Sequence, residues 1–109
     1  MDEYIKIADG CGINAFVIDI QDGEAIAYAS PTMEKYSPSA YKRATNSLEK
    51  YKEAVQKIKD AGYYVIGRIT TFNDPYFATD HPECLIVKSG TDKPMKIVGM
   101  YWPSAYNRY

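Results

Sequence analysis

A chain of 109 residues, 46% hydrophobic and 25% charged, suits one small domain that can bury a core without disulfide or metal staples. Its formal net charge is −1 and no basic cluster exceeds the Lys42/Arg43 pair, so nucleic acid and anionic membrane surfaces have no electrostatic footprint to bind. No apolar run approaches the roughly 18 residues of a membrane span, and Asp2 and Glu3 after Met1 are the opposite of a signal peptide's basic start.

The two cysteines, Cys11 and Cys84, lack a CxxC spacing and read as small buried hydrophobes, with one cross-bridge open to them only in an exported protein. With a single histidine, His81, no metal set is expected. Aromatics stand out instead: eleven Tyr, three Phe and one Trp. Such side chains stack on sugars and pack at interfaces, but they also fill half-buried core positions.

In chain order, residues 3–9 set Tyr4, Ile5, Ile7 and Ala8 near one face of a short helix that Gly10 and Gly12 stop. Residues 14–20 are a short apolar run, read as a buried strand. Side chains alternate along it, so Ala15, Val17 and Asp19 share one face while Phe16, Ile18 and Ile20 share the other. The bulkier set suits a layer of helices. The smaller set, ending in a carboxylate, suits a barrel interior or an open active-site edge. Residues 21–39 read as a long loop with Gly23, Pro31 and Pro38, and with a short strand excursion at 25–29.

Residues 46–61 carry the strongest helical pattern. Ala44, Leu48, Tyr51, Val55 and Ile58 form one apolar stripe, Asn46 with Glu49 resembles a capping box, and Gly62 suits the C′ position. Lys50, Glu53, Lys57 and Lys59 form a solvated opposite face. The second strand, residues 63–71, sets Tyr64, Ile66, Arg68 and Thr70 on one face. Arg68 cannot lie unpaired beneath helices, so it is expected near Asp19 on the neighbouring strand, in position to pair with it. Strand, helix and strand then make a right-handed βαβ unit.

Beyond it, Asn73-Asp74-Pro75 is turn chemistry opening a helical turn over 76–80, which Pro82 ends. Brief strands are expected at 85–87 and 96–100, with a turn at 90–93. Residues 101–109 read as a loop approaching a helix. Two parallel strands cannot close a barrel, so the expected architecture is α/β, of parallel βαβ units cut to the first two or three strands, with 1–109 as an N-terminal portion.

Several motifs together resemble one family. Asn-Ala-Phe-Val-Ile-Asp-Ile-Gln-Asp at 14–22 resembles the first-strand motif of the family described as a "putative glycosyl hydrolase domain", a group of (β/α)8 barrels. Gly-Tyr-Tyr-Val-Ile-Gly-Arg-Ile at 62–69, with Phe-Asn-Asp-Pro at 72–75, is similar to its second-strand motif. His81-Pro82-Glu83 and Trp102-Pro103 also fit. The chain departs from the family in lacking an Asp between Trp102 and Pro103, and the family's later Asp-Tyr-x-Arg-Phe signature lies beyond residue 109. The resemblance implies hydrolysis of glycosidic bonds in a polysaccharide, and an extracellular or cell-surface setting. It covers only the first part of a barrel of about 250 residues, so the 109 residues alone are expected to be inactive.

Glycoside hydrolysis uses two carboxyl groups about 5 to 10 Å apart. Asp19 and Asp22 are the catalytic candidates, with Glu24 also in the first turn after the strand; the competing role for Asp19 is a salt bridge to Arg68. Arg68, Phe72, Asp74, Tyr76 and Trp102 are the candidate substrate-binding residues, with Tyr28 as a further stacking ring. Asp74 equally suits a helix cap, and His81 a turn. No cofactor is expected: Gln21-Asp22-Gly23-Glu24 is acidic where a nucleotide binder has a Gly-rich phosphate loop. Carbohydrate is the expected partner, together with the remainder of a barrel or a second copy. The alternative reading is a non-catalytic carbohydrate-binding or assembly domain.

Overall fold

The computed structural model describes all 109 residues. In chain order the elements are α1 (Asp2–Cys11), β1 (Ala15–Asp22), β2 (Ala25–Ile26), β3 (Tyr28–Ala29), α2 (Pro31–Tyr36) and α3 (Pro38–Arg43). There follow β4 (Asn46–Ser47), α4 (Leu48–Asp60), β5 (Tyr64–Ile69), α5 (Pro75–Asp80), β6 (Lys96–Ile97) and β7 (Met100–Tyr101). The central sheet is mixed, in the order β2-β1-β5: β1 and β5 are parallel, while β2 folds back antiparallel on the end of β1. The architecture is α/β, built on one βαβ unit.

The core lies where α1 and α4 cover one face of β1 and β5. Ala8, Ile58 and Tyr63 are buried there, packed by Ile5, Phe16, Ile18 and Val65. Phe16 and Tyr63 meet edge to face, their centroids 5.1 Å apart, a favoured arrangement for aromatic quadrupoles. The Tyr63 hydroxyl donates to the Asp9 carboxylate, and that bond, which deprotonation would break, pushes the phenol up to about 12. Gly12 ends α1 at φ 68, a left-handed conformation that glycine enters without a Cβ penalty.

The long segment after β1 is more ordered than its proline content implies. Pro31 and Pro38 each occupy a first-turn position of a short helix, where the missing N–H has no intrahelical partner to lose. Ser30 caps α2 through Met33 N. The main helix starts at Leu48, two residues later than the apolar stripe predicts. Asn46 is drawn into the β3–β4 pairing and its amide donates to the Ala27 carbonyl, so Ser47 caps α4 instead. Residues 96–100 form a hairpin rather than one strand, because Val98 and Gly99 both take positive φ, 51° and 78°. Cys84 is buried and Cys11 is exposed.

Asp80 ties α2 and α3 to α5. Its carboxylate accepts from the Ser37 hydroxyl at 2.9 Å, the Ser39 N–H at 2.9 Å and the Ser39 hydroxyl at 2.5 Å. Burial acts upward on this carboxyl, but the Ser39 and Ser37 hydrogen bonds outweigh it and hold the group below its ordinary 3.8. A depressed value means the carboxylate stabilises the fold above pH 3.8 and loses that contribution as pH falls through the depressed value.

Two outcomes follow. Asp80→Asn is expected to lower stability by about 1 to 3 kcal/mol at neutral pH, because one of the two oxygens that accept from Ser37 and Ser39 becomes a donor; in thermal melts over a pH series, the gap to wild type should close below pH 3.8. Val98 is β-branched, left-handed and 87% exposed at the tip of a primed turn, where Asn and Gly are favoured. Val98→Asn is therefore expected to gain about 1 kcal/mol, measured by denaturant unfolding.

Candidate functional site

Because β1 and β5 run parallel, their carboxyl ends lie at the same edge of the sheet, and there the polar residues converge. On the face away from the helices the register pairs Ala15 with Tyr64, Val17 with Ile66 and Asp19 with Arg68. Arg68 grips Asp19 with two hydrogen bonds, Nε to Oδ1 at 2.5 Å and a terminal nitrogen to Oδ2 at 2.9 Å. This fork holds the Asp19 carboxyl below its usual value and the guanidinium above its own. The pair is open to water, with side chains 58% and 45% exposed; the face that would enclose it has no covering layer.

Asp22 reaches the same guanidinium, 3.9 Å from the terminal nitrogen, and accepts from the Thr70 hydroxyl at 2.8 Å. Strict alternation would send residues 19 and 22 to opposite faces. The register slips between them, from Asp19 opposite Arg68 to Gln21 opposite Ile69, so β1 carries one extra residue at Ile20. Such a bulge re-aims the side chains that follow it. Ile20 finds room because residue 67 is glycine: a Cβ there would stand 2.8 Å from the Ile20 Cδ1. Because both carboxylates reach one nitrogen, at 2.9 and 3.9 Å, their nearest oxygens lie within about 7 Å of each other, inside the outer limit of about 10 Å used in glycoside hydrolysis.

Beside this row lies a depression of about 230 Å³ whose lining includes Gln21, Thr70, Phe72, Asp74, Phe77 and Tyr109. Phe72 takes φ 60 and is 49% exposed; for a bulky residue this is a strained conformation, of the kind that clusters at ligand sites. The amide nitrogen of Gln21 and the amide oxygen of Asn73 are buried and bond to no protein group, which leaves a donor and an acceptor at this end of the sheet. Asn73 lies against Gly23, whose φ of 58 makes the tight turn from β1 to β2.

The other candidates have local partners. Asp74 caps α5, accepting from the Tyr76 and Phe77 N–H groups at 3.1 and 2.9 Å, although it also borders the depression. Arg43 lies over the Tyr76 ring at 5.9 Å. The Trp102 indole N–H donates to the Ile97 carbonyl, Tyr28 stacks on Tyr51, and Glu24 is exposed in the turn after β1. His81 bonds to the Tyr36 carbonyl and to Glu83. Gln21 and the role of Thr70 were not apparent from residue types alone. A glycine inside a strand is a recognised sign of a bulge, and Gly67 was the available pointer to the displaced register.

The whole chain, residues 1–109, matches the family described as "Putative glycosyl hydrolase domain". The chain belongs to this family. A hypothetical protein from Ruminiclostridium thermocellum ATCC 27405, known from a crystal structure, is similar to this glycosyl hydrolase domain chain, with a TM-score of 0.74 and 24% identity over 97% of the present residues. The match covers 54% of that chain, so the present one spans about half its length; at this identity the likeness speaks to fold. No curated protein is significantly similar.

Arg68→Ala should scarcely alter the melting temperature, as befits an exposed pair, while the Asp19 carboxyl returns toward 3.8. Carbonyl-detected NMR titration of Asp19 checks both the pairing and its direction.

Proposed function

We propose that the carboxyl ends of β1 and β5 form one wall of a glycoside-hydrolase active site, built on a (β/α)8-type barrel and directed at a polysaccharide. Family membership supports the carbohydrate class, and one observation carries the location: Asp19 and Asp22 are gathered on Arg68, with Thr70 bonded to Asp22, beside the strained, half-exposed Phe72. Carboxylates and a guanidinium in a row match the alternating donors and acceptors of sugar hydroxyls. An aromatic ring held at the rim can stack on the apolar face of a sugar ring.

The roles divide by electrostatics. A general acid needs a carboxyl raised toward neutrality, as burial or a like charge provides. Asp19 is shifted the other way by Arg68, so it stays ionised and is suited to stabilise a developing oxocarbenium ion. Asp22, held by the Thr70 hydroxyl, is the second carboxylate of this wall. The proton donor then belongs to another wall of the site, and these residues by themselves bind without hydrolysing. Asp74, Tyr76 and Trp102 would border the sugar from the α5 side. An extracellular or cell-surface setting belongs to the same reading.

The test is calorimetry and reducing-end release on a panel of soluble polysaccharides. Binding without release is expected, with affinity falling about tenfold or more in Phe72→Ala and in Asp22→Asn. Hydrolysis that disappears in Asp19→Asn would overturn the division of roles. Absence of binding to every polysaccharide would overturn the assignment of the wall.

A further inference from the structure

The chain's single histidine, His81, turns both of its ring nitrogens toward acceptors. Nε2 stands 2.6 Å from the Tyr36 carbonyl oxygen at the end of α2, and Nδ1 stands 3.2 Å from Oε1 of Glu83. A neutral imidazole has one N–H and one lone pair, so it can donate to only one of these partners. The imidazolium has two donors and serves both. The side chain is only 16% exposed, which leaves water little room to replace a missing bond.

The surroundings weigh toward the cation. Tyr36 is the last residue of α2 and His81 directly follows α5, and a positive charge is stabilised at the C-terminal end of a helix. The imidazole lies against the Phe77 and Tyr109 rings, at centroid distances of 4.6 and 4.2 Å, within range of a cation–π attraction. Asp80 and Glu83 are both anions here. The serine bonds hold Asp80 low against burial, and Glu83 is held below its ordinary 4.5 by its own backbone N–H and then by His81. Two cations oppose them, Arg108 over the Tyr109 ring at 5.5 Å and Lys35 over the Tyr36 ring at 4.8 Å. Burial pushes the Cys84 thiol up, so it stays neutral. Phe77 and Tyr109 also line the depression that holds Phe72.

We propose that His81 is a pH-sensitive clasp. As the imidazolium it ties the end of α2 to the turn at Pro82–Cys84 and steadies the aromatic side of the depression; on losing its proton it gives up one of its two ties. The stability it confers is therefore fully present below about 6.5, where a free imidazole is charged, and is lost as the pH rises and the proton leaves. Every contact of the clasp lies within the chain, so it stands or falls independently of carbohydrate binding.

With no second imidazole in the chain, a response between about pH 5 and pH 8 is read chiefly from this residue. Nitrogen-detected and proton-detected NMR of the ¹⁵N-labelled 109-residue protein should show both ring N–H groups of His81 at the acid end, kept from rapid exchange by their hydrogen bonds. One should remain at the alkaline end, and the Phe77 and Tyr109 ring signals should move over the same range. In thermal melts the wild type should lose about 4 °C or more across that range relative to His81→Gln, which can donate to Tyr36 but never carries charge. Glu83→Gln should reduce that loss. If His81→Gln does not fold, the wild-type spectra decide. Ring N–H signals that are absent at the acid end, through free exchange with water, overturn the proposal. An equal pH response of wild type and His81→Gln overturns it too.

Discussion

The parallel pairing of β1 with β5 is the constraint from which the rest follows. Parallel neighbours cannot be joined by a tight turn and need a crossover, which here includes the 13-residue helix α4. That helix returns across one side of the sheet and, with α1, buries Ala8, Ile58 and Tyr63. The other side is left uncovered. The same pairing brings both strands to their carboxyl ends together, so Asp19 and Asp22 meet Arg68 and Thr70. An antiparallel pair would have set these groups at opposite ends of the sheet.

At that edge, charge and strain are arranged by ordinary means. A guanidinium with five donors can serve two carboxylates at once, and it fixes Asp19 by a fork rather than a single contact. The arrangement gains little stability in open water. It does orient two acid groups toward one point, and it biases Asp19 toward the anion. The strained Phe72 belongs with these features, since it stands in the connection between β5 and the cap residue of α5.

Much of the scaffold was legible because it follows period and punctuation. The apolar stripe of α4, the alternation of Phe16, Ile18 and Val17, and Gly12 as a helix stop all express local rules. The meeting of Asp19 with Arg68 was also readable, since an arginine inside an apolar strand demands a partner. Three features were hidden. Asn46 reads as a helix cap until the β3–β4 pairing claims it. Pro31 and Pro38 read as loop residues, although each is equally at home in the first turn of a helix. The bulge at Ile20 depends on how two strands seat against each other, and period-two counting cannot anticipate an added residue. Solvent exposure of the Asp19–Arg68 pair was likewise not written in either strand, because it depends on what lies over the sheet.

The bulge links two positions on different strands, 47 residues apart along the chain. Ile20 lays its Cδ1 over Gly67, where a Cβ would push it aside, and the bulge sets Asp22 on the same side as Asp19. Loss of the single codon for Ile20 would restore even pairing, leave Asp22 on the face of Asp19 by plain alternation and open vacant space above Gly67. The strand would survive as a strand, and a larger residue at 67 could then refill the gap. Within the family, an intact bulge should therefore travel with glycine at 67. Members with a side chain at 67 should lack the extra residue and hold the same acidic pair by plain alternation.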